Sequence, residues 1–328
     1  MGKHDEIMAI TTGFMKSRTI LTAAEWDFFT SLHEKPVTPK ELADSKELDE
    51  RATTRILDCL ITFGLLEKHN GRYLTTEEGS LLSTHHRETI LPMVLHMNHL
   101  WETWSSLTDT LRQGKNPERT FRFARDEEAM KAFIGAMHVI GQPLSREIAE
   151  AYDLTPYRKL LDVGGASGTY TMAFLKKNPR MKAVLFDLPN VIPMAEVRLG
   201  TEDLQDRVEL VSGDFYKDEL PQGCDLTLLS AIIHQNSPKE NVELYRRIYR
   251  ALEPGGVVLI RDHIMDESRT SPPGGALFAL NMLVNTSGGD TYTFSEIKVT
   301  LEEARFMEVK LLRVGERMDC LVEARKPL

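Results

Sequence analysis

The residues suited to chemistry gather in the middle of the chain, beside short apolar runs. The first group is Leu160-Leu161-Asp162-Val163-Gly164-Gly165-Ala166-Ser167-Gly168. It reads as a buried strand, a glycine-rich turn and a helix beginning near Gly168. Such a turn brings backbone N–H groups and a helix N-terminus close to a ligand. The spacing is Gly-Gly-x-x-Gly, led by Asp162. It does not fit the Gly-x-Gly-x-x-Gly of dinucleotide sites, whose first glycine would fall on Val163. An acid ahead of the turn suits a cofactor that carries positive charge and no pyrophosphate.

Three further runs end in polar groups. Phe186-Asp187-Leu188-Pro189 places Asp187 about twenty residues past the glycines, suited to accept both hydroxyls of a ribose. In Gly213-Asp214-Phe215, Asp214 suits an adenine amino group and Phe215 suits stacking on the ring. The fourth run ends at Ser230, and Ile232-Ile233-His234 follows. Ligands of open α/β sheets sit at the carboxyl ends of strands. The ordered set therefore implies a nucleoside-bearing cofactor, and S-adenosylmethionine, a sulfonium with an ammonium group, matches the charge. An imidazole is matched to proton removal near neutral pH, which makes His234 a candidate general base. Asp262, after Arg261 at the end of the next run, is placed to hold that ring. His85/His86 and His96/His99 lack carboxylates or cysteines at metal spacing, so no metal is expected.

Elements with the right periodicity are needed to position these groups. From residue 158 onward strands alternate with amphipathic helices: strands over 159–163, 182–186, 208–211, 225–230 and 256–261, helices over 168–178, 190–199 and 239–252. Alternation of this kind predicts an α/β fold, a doubly wound, Rossmann-like sheet with crossover helices. Val309–Val314 and Cys320–Ala324 predict an antiparallel hairpin at its edge. Upstream, residues 5–35 read as helical. Thr38-Pro39-Lys40-Glu41 predicts a capped helix start, and 50–63 a second helix. Two short strands around Asn70-Gly71 complete a winged-helix pattern. Residues 88–152 predict further helices, among them one carrying Trp104 and one carrying Phe133 and Met137.

Composition sets outer bounds. The 328 residues favour two domains, and 40 basic against 49 acidic residues give a formal net charge of −9. That balance argues against a nucleic-acid partner. The stretch around Arg51 and Arg55 lies among Asp44, Glu47, Asp49 and Glu50, which argues against DNA reading by the winged helix. Cys59, Cys224 and Cys320 lie far apart and read as reduced thiols. No signal-peptide or membrane-length apolar run is present, so a cytoplasmic location with no membrane partner is expected.

With these residues in place, the chain resembles the class I S-adenosylmethionine-dependent O-methyltransferases of the caffeate and acetylserotonin type, over roughly residues 15–325. Leu161–Gly168 is similar to the family's glycine loop, Phe186–Pro189 to its ribose-binding strand end and Gly213–Phe215 to its adenine-side motif. The resemblance implies a winged-helix dimerisation domain over residues 1–100 and a methyltransferase domain with linking helices over 101–328. It implies a homodimer, His234 as base, Asp262 as supporting acid, and a donor site of Asp162, Gly164, Gly165, Gly168, Asp187, Leu188, Gly213, Asp214, Phe215 and Ser230. Phe133-Ile134-Gly135-Ala136-Met137 resembles a segment whose methionine lines the acceptor pocket, and Phe133, Trp104 and Met282 are expected beside Met137. The implied reaction is methyl transfer to a hydroxyl of a small aromatic molecule. Nitrogen, carbon or sulfur acceptors and a donor-responsive winged-helix regulator stay open as alternatives. Three positions depart from the family pattern: Gln235-Asn236 stands where Asp-Trp is common, Ser230 where plant members have lysine, and Thr291 at the place expected for a second supporting glutamate, with Asp290 beside it as a candidate substitute.

Overall fold

A computed structural model of the chain describes residues 2–114 and 127–328. The described residues form two compact units: the chain up to Trp101 together with 127–139, and 102–114 together with Ile140–Leu328.

The first unit begins with α1 (Lys3–Glu25) and α2 (Phe28–His33). The stretch expected to be helical over 5–35 is helical, as two helices that meet at Asp27, whose φ of 52° is left-handed. Aspartate tolerates that region. The break turns the chain so that Phe28, Phe29 and Leu32 enter the core, whereas Ile7, Ile10 and Phe14 of α1 stay exposed. Helices α3 (Pro39–Ser45) and α4 (Glu50–Thr62) follow. The Thr38 hydroxyl accepts from the Glu41 N–H at 3.2 Å, and Glu41 accepts from the Thr38 N–H at 2.8 Å, closing the expected capping box. Strands β1 (Leu66–His69) and β2 (Arg72–Thr75) form an antiparallel hairpin, with Asn70 and Gly71 both at positive φ as a two-residue turn requires. Then come α5 (Glu77–Ser80), α6 (Leu91–Ser105), α7 (Leu107–Gln113) and α8 (Glu127–Ala151). By contact, the first half of α8 groups with the chain up to Trp101. That half belongs with the N-terminal unit, where Phe133 packs edge-on against His96 at 5.2 Å and Gly135 lies against Pro92.

The second unit is a seven-stranded sheet: β3 (Lys159–Val163), β4 (Lys182–Asp187), β5 (Val208–Ser212), β6 (Cys224–Ser230), β7 (Leu252–Asp262), β10 (Met307–Arg313) and β11 (Cys320–Arg325), in the order β10-β11-β7-β6-β3-β4-β5. A short parallel pair, β8 (Ile264–Met265) with β9 (Tyr292–Thr293), lies apart from it. Its helices are α9 (Thr169–Lys177), α10 (Ile192–Thr201), α11 (Pro238–Ala251), α12 (Pro273–Asn285) and α13 (Phe294–Glu303). Strands β3 to β7 pair in parallel, and β11 pairs antiparallel with both β7 and β10. Both sheet faces are covered. Leu161, Val163, Val258 and Ile260 pack with α11 and α13 on one side. Leu160, Leu228, Val257 and Leu259 pack with α8 and α9 on the other. That two-sided burial explains why these strands read as continuous apolar runs. The chain steps from β3 outward to β4 and β5, then returns to place β6 on the other side of β3. A crevice opens at such a reversal, at the strands' carboxyl ends. Among the described residues no helix is long and apolar enough to cross a membrane.

Candidate active site

The glycine turn leaves β3 at this reversal. Gly164 holds a φ of +70°, and a Cβ there would lie 2.7 Å from Ile232 Cδ1, so only glycine fits. Its N–H donates to the Phe186 carbonyl at 2.8 Å. Gly165 follows, and Gly168, in the left-handed region, caps α9. At the tip of β4, Asp187 accepts from the Ala166 N–H and the Leu188 N–H, both at 2.7 Å. One carboxylate thereby ties the turn to the second strand, and each oxygen keeps a lone pair for a further donor. Asp162 is 2% exposed and accepts from the Thr171 hydroxyl at 2.6 Å.

Burial pushes the Asp162 carboxyl up to about 6, opposed by the Thr171 bond and reinforced by the Asp187 charge. Asp187 is also pushed up by burial, against the amides of Leu188 and Ala166. Asp162 feels the charge of Arg261, which lowers its carboxyl, and neither carboxylate forms a salt bridge among the described residues. A ligand bringing positive charge and two hydroxyl donors fits this pair.

Past β5, the Gly213 N–H donates to the Asp187 carbonyl at 2.9 Å. Burial would raise the Asp214 carboxyl, but Lys217 at 2.8 Å and the Tyr216 amide hold it below its usual range. The Phe215 ring lies 4.5 Å from that of Tyr216.

Across the crevice, β6 ends at Ser230 and a one-turn 3₁₀ helix, Ile233–Gln235, carries His234. His234 Nδ1 lies 2.9 and 3.0 Å from the two carboxylate oxygens of Asp262, the last residue of β7. Asp262 is fully buried and also accepts from the His263 N–H at 2.8 Å. Burial would raise its carboxyl, yet the facing His234, with Arg261 and the His263 amide, holds it below the usual range. An ionised Asp262 keeps the proton on Nδ1 and leaves Nε2 its lone pair. Phe278 of α12 meets the imidazole edge-on at 4.9 Å.

Asp290 does not act as a second acid on this ring. Its carboxylate pairs with Arg269 at 3.2 Å, while its backbone N–H donates to the His234 carbonyl at 2.9 Å. Thr291 is buried, its hydroxyl donating to the Gly275 carbonyl at 3.3 Å. Among the described residues, Asp262 is the carboxylate paired with the imidazole of His234. The Ser230 hydroxyl accepts from Arg261 Nε at 2.8 Å. Trp104 Nε1 donates to Asn281 of α12 at 2.9 Å, and Met282, on the same helix, is 6% exposed. Phe133 and Met137 lie on the part of α8 that belongs to the first unit.

Three residues at the site were not assigned a role there from the sequence. Arg261 is 5% exposed and stacks 4.8 Å over Tyr170. Phe278 meets His234 across more than forty residues of chain. Asn236 is fully buried and hydrogen-bonded on both amide atoms. Only Asn236 left a trace, as a polar residue where an aromatic one was expected.

Comparison with known proteins identifies the family. Residues 104–307 match the O-methyltransferase domain and residues 8–85 the O-methyltransferase dimerisation domain. The tetracenomycin polyketide synthesis 8-O-methyl transferase TcmO of Streptomyces glaucescens is 32% identical over 332 residues, covering 98% of this chain and 96% of its own. Acetylserotonin O-methyltransferase of Gallus gallus is 29% identical, covering 96% of each. Human N-acetylserotonin methyltransferase, solved in complex with SAM, superposes with a TM-score of 0.85 at 25% identity over 100% of both chains.

Proposed function

We propose that this chain, which belongs to the O-methyltransferase family, transfers a methyl group from S-adenosylmethionine to a hydroxyl of a small aromatic molecule, with His234 as general base. The observation that carries the reading is the bond between His234 and buried Asp262, set across the crevice from the glycine turn and Asp187.

When bound, the donor supplies a methyl carbon on a sulfonium, a good leaving group that needs no metal. Asp187 would hold its ribose, Asp214 and Phe215 its adenine side, and the turn from Gly164 to Gly168 would lie against its amino-acid portion. Asp162 and Asp187 supply the negative charge that a cationic ligand calls for. His234 Nε2 takes the hydroxyl proton as the new C–O bond forms, and Asp262 stabilises the resulting imidazolium. A phenol, with a pKa near ~10, needs that proton acceptor near neutral pH. Holding oxygen, carbon and sulfur in line removes an entropic part of the barrier, a contribution of several kcal/mol or more, up to ~10. Trp104 and Met282 are assigned to the acceptor side.

A homodimer through the first unit is part of this reading. The match to a dimerisation domain supports it, as do the exposed Ile7, Ile10 and Phe14 on α1.

Calorimetric titration with S-adenosylmethionine and its demethylated product tests the donor site directly. No heat with either ligand would overturn the reading. Isotopically labelled donor then tests the acceptor: label recovered on nitrogen, carbon or sulfur would replace the hydroxyl assignment.

A further inference from the structure

The turn that carries His234 is tied to the donor side by a chain of hydrogen bonds that nothing in the reaction requires. The Tyr216 hydroxyl donates to Asn236 Oδ1 at 2.5 Å. Asn236 Nδ2 donates to Asn241 Oδ1 at 2.9 Å, and Asn241 Nδ2 donates to the Ile233 carbonyl at 3.0 Å. The polarity of this chain is forced. A carbonyl only accepts, so Asn241 must turn its nitrogen to Ile233 and its oxygen to Asn236, and Asn236 must then present its own oxygen to Tyr216. The Asn236 carbonyl is taken as well, by the Tyr292 hydroxyl, and the Asn236 N–H donates to Ile233 at 3.3 Å. Asn236 is 0% exposed, and each of its polar groups has a partner. A buried network this complete holds one geometry, because losing any member strands another without water to replace it.

One end of the network is fixed to the backbone of Ile233, the residue before His234. At the other end stands Tyr216, next in sequence to Phe215 and packed on its ring at 4.5 Å. Phe215 in turn lies close to Gly164, 3.5 Å from where a Cβ on that glycine would be. The Tyr216 side chain, unlike the rest of the network, is still partly open, with the residue 46% exposed.

We propose that Tyr216, Asn236 and Asn241 are positioning residues that couple occupation of the donor site to the placement of His234. A donor that settles against Phe215 also settles Tyr216, and the relay passes that constraint to the Ile233–Gln235 turn. Asn236 thus does with hydrogen bonds what an aromatic side chain at that position would do by packing. The inference rests on the proposed donor site and extends it.

The test needs no acceptor. Protein labelled with ¹⁵N at histidine is titrated with S-adenosylhomocysteine, and the His234 imidazole signals are assigned with His234→Gln. Wild-type protein is expected to show a ligand-induced shift of those signals. Tyr216→Phe is expected to lose the shift while its Kd for S-adenosylhomocysteine stays within about threefold of wild type. Asn241→Asp cuts the relay at its far end and is expected to give the same loss, so the test survives if one variant fails to fold. An undiminished shift in either folded variant overturns the relay, as does a wild type that binds the ligand with no change at His234. A wild type that binds no ligand at all overturns the donor reading itself, and the relay with it.

Discussion

Gly289 runs hard against the backbone of His234: a Cβ on it would lie 2.4 Å from the His234 carbonyl oxygen and 2.6 Å from Thr286 Oγ1. Both contacts are too short for any real carbon, and the first is with backbone. Together with the Asp290 N–H bond to the same carbonyl, the contact shows that the Gly288-Gly289 turn supports the His234 turn. Gly289→Ala must push that turn aside. It is expected to lower stability by about 1–3 kcal/mol, the range for overpacking a tight site, and to reduce methyl transfer while leaving donor binding in place. Thermal denaturation and calorimetry check the two halves, and a variant with wild-type turnover would refute the support.

Removal of the imidazole should separate chemistry from binding. His234→Ala is expected to cut turnover by about 10²-fold or more, the usual range for a positioned acid–base group, with donor affinity unchanged. Single-turnover kinetics with labelled donor and a model phenol measure this. Unchanged turnover would remove His234 from the mechanism.

Asp262→Asn keeps the shape of the partner but not its charge. The imidazolium formed during transfer then lacks its counter-charge, and the Nδ1 proton is no longer specified. Turnover is expected to fall by about 10²- to 10⁴-fold with the fold intact. A fall of less than tenfold would show that Asp262 serves packing alone.

Asp187→Ala removes the acceptor for the Ala166 and Leu188 amides as well as the proposed ribose partner. Donor affinity is expected to drop by roughly 10- to 100-fold, as loss of a charged hydrogen bond implies. Calorimetry reads it, and an unchanged Kd would move the ribose elsewhere.

Asp162 makes a prediction about pH. Its ordinary value of 3.8 is raised by burial to about 6. The folded chain therefore holds this proton more tightly than the unfolded chain, and the stability it contributes is fully present below 3.8 and lost as pH rises through about 6. Asp162→Asn mimics the protonated form at every pH. The melting temperature of the variant minus that of wild type should accordingly increase from pH 4.5 to pH 7. A difference independent of pH would place the Asp162 carboxyl near its ordinary value.

Much of the donor side was legible because it is local. A strand, a glycine turn and an acid at the next strand's tip are each written within a few consecutive residues, and parallel alternation dictates which tips meet. The pairing of His234 with Asp262 was legible for the same reason: β6 and β7 are neighbours in register, Ser230 opposite Arg261. What brings distant segments together was not. Phe278 reads as one more apolar residue of a helix, and the sequence carries no sign that α12 turns it toward an imidazole. Asp290 looked like a spare acid beside Thr291; only the fold shows Arg269 claiming its carboxylate. Residues 5–35 are helical as read, but apolar spacing gave no sign that the helix divides at Asp27.

The C-terminal hairpin has a consequence for how the chain is made. Strand β11 is inserted between β7 and β10, and Cys320 stands opposite Asp262. During synthesis β7 leaves the ribosome before β11 does, so its backbone hangs as a bare sheet edge, open to other chains. The proposed donor half of the crevice, from the Gly164 turn to Gly213, precedes β7 in the chain. On the proposed donor reading, a ligand held by those earlier residues would favour the folded state before the strand that braces Asp262 is in place.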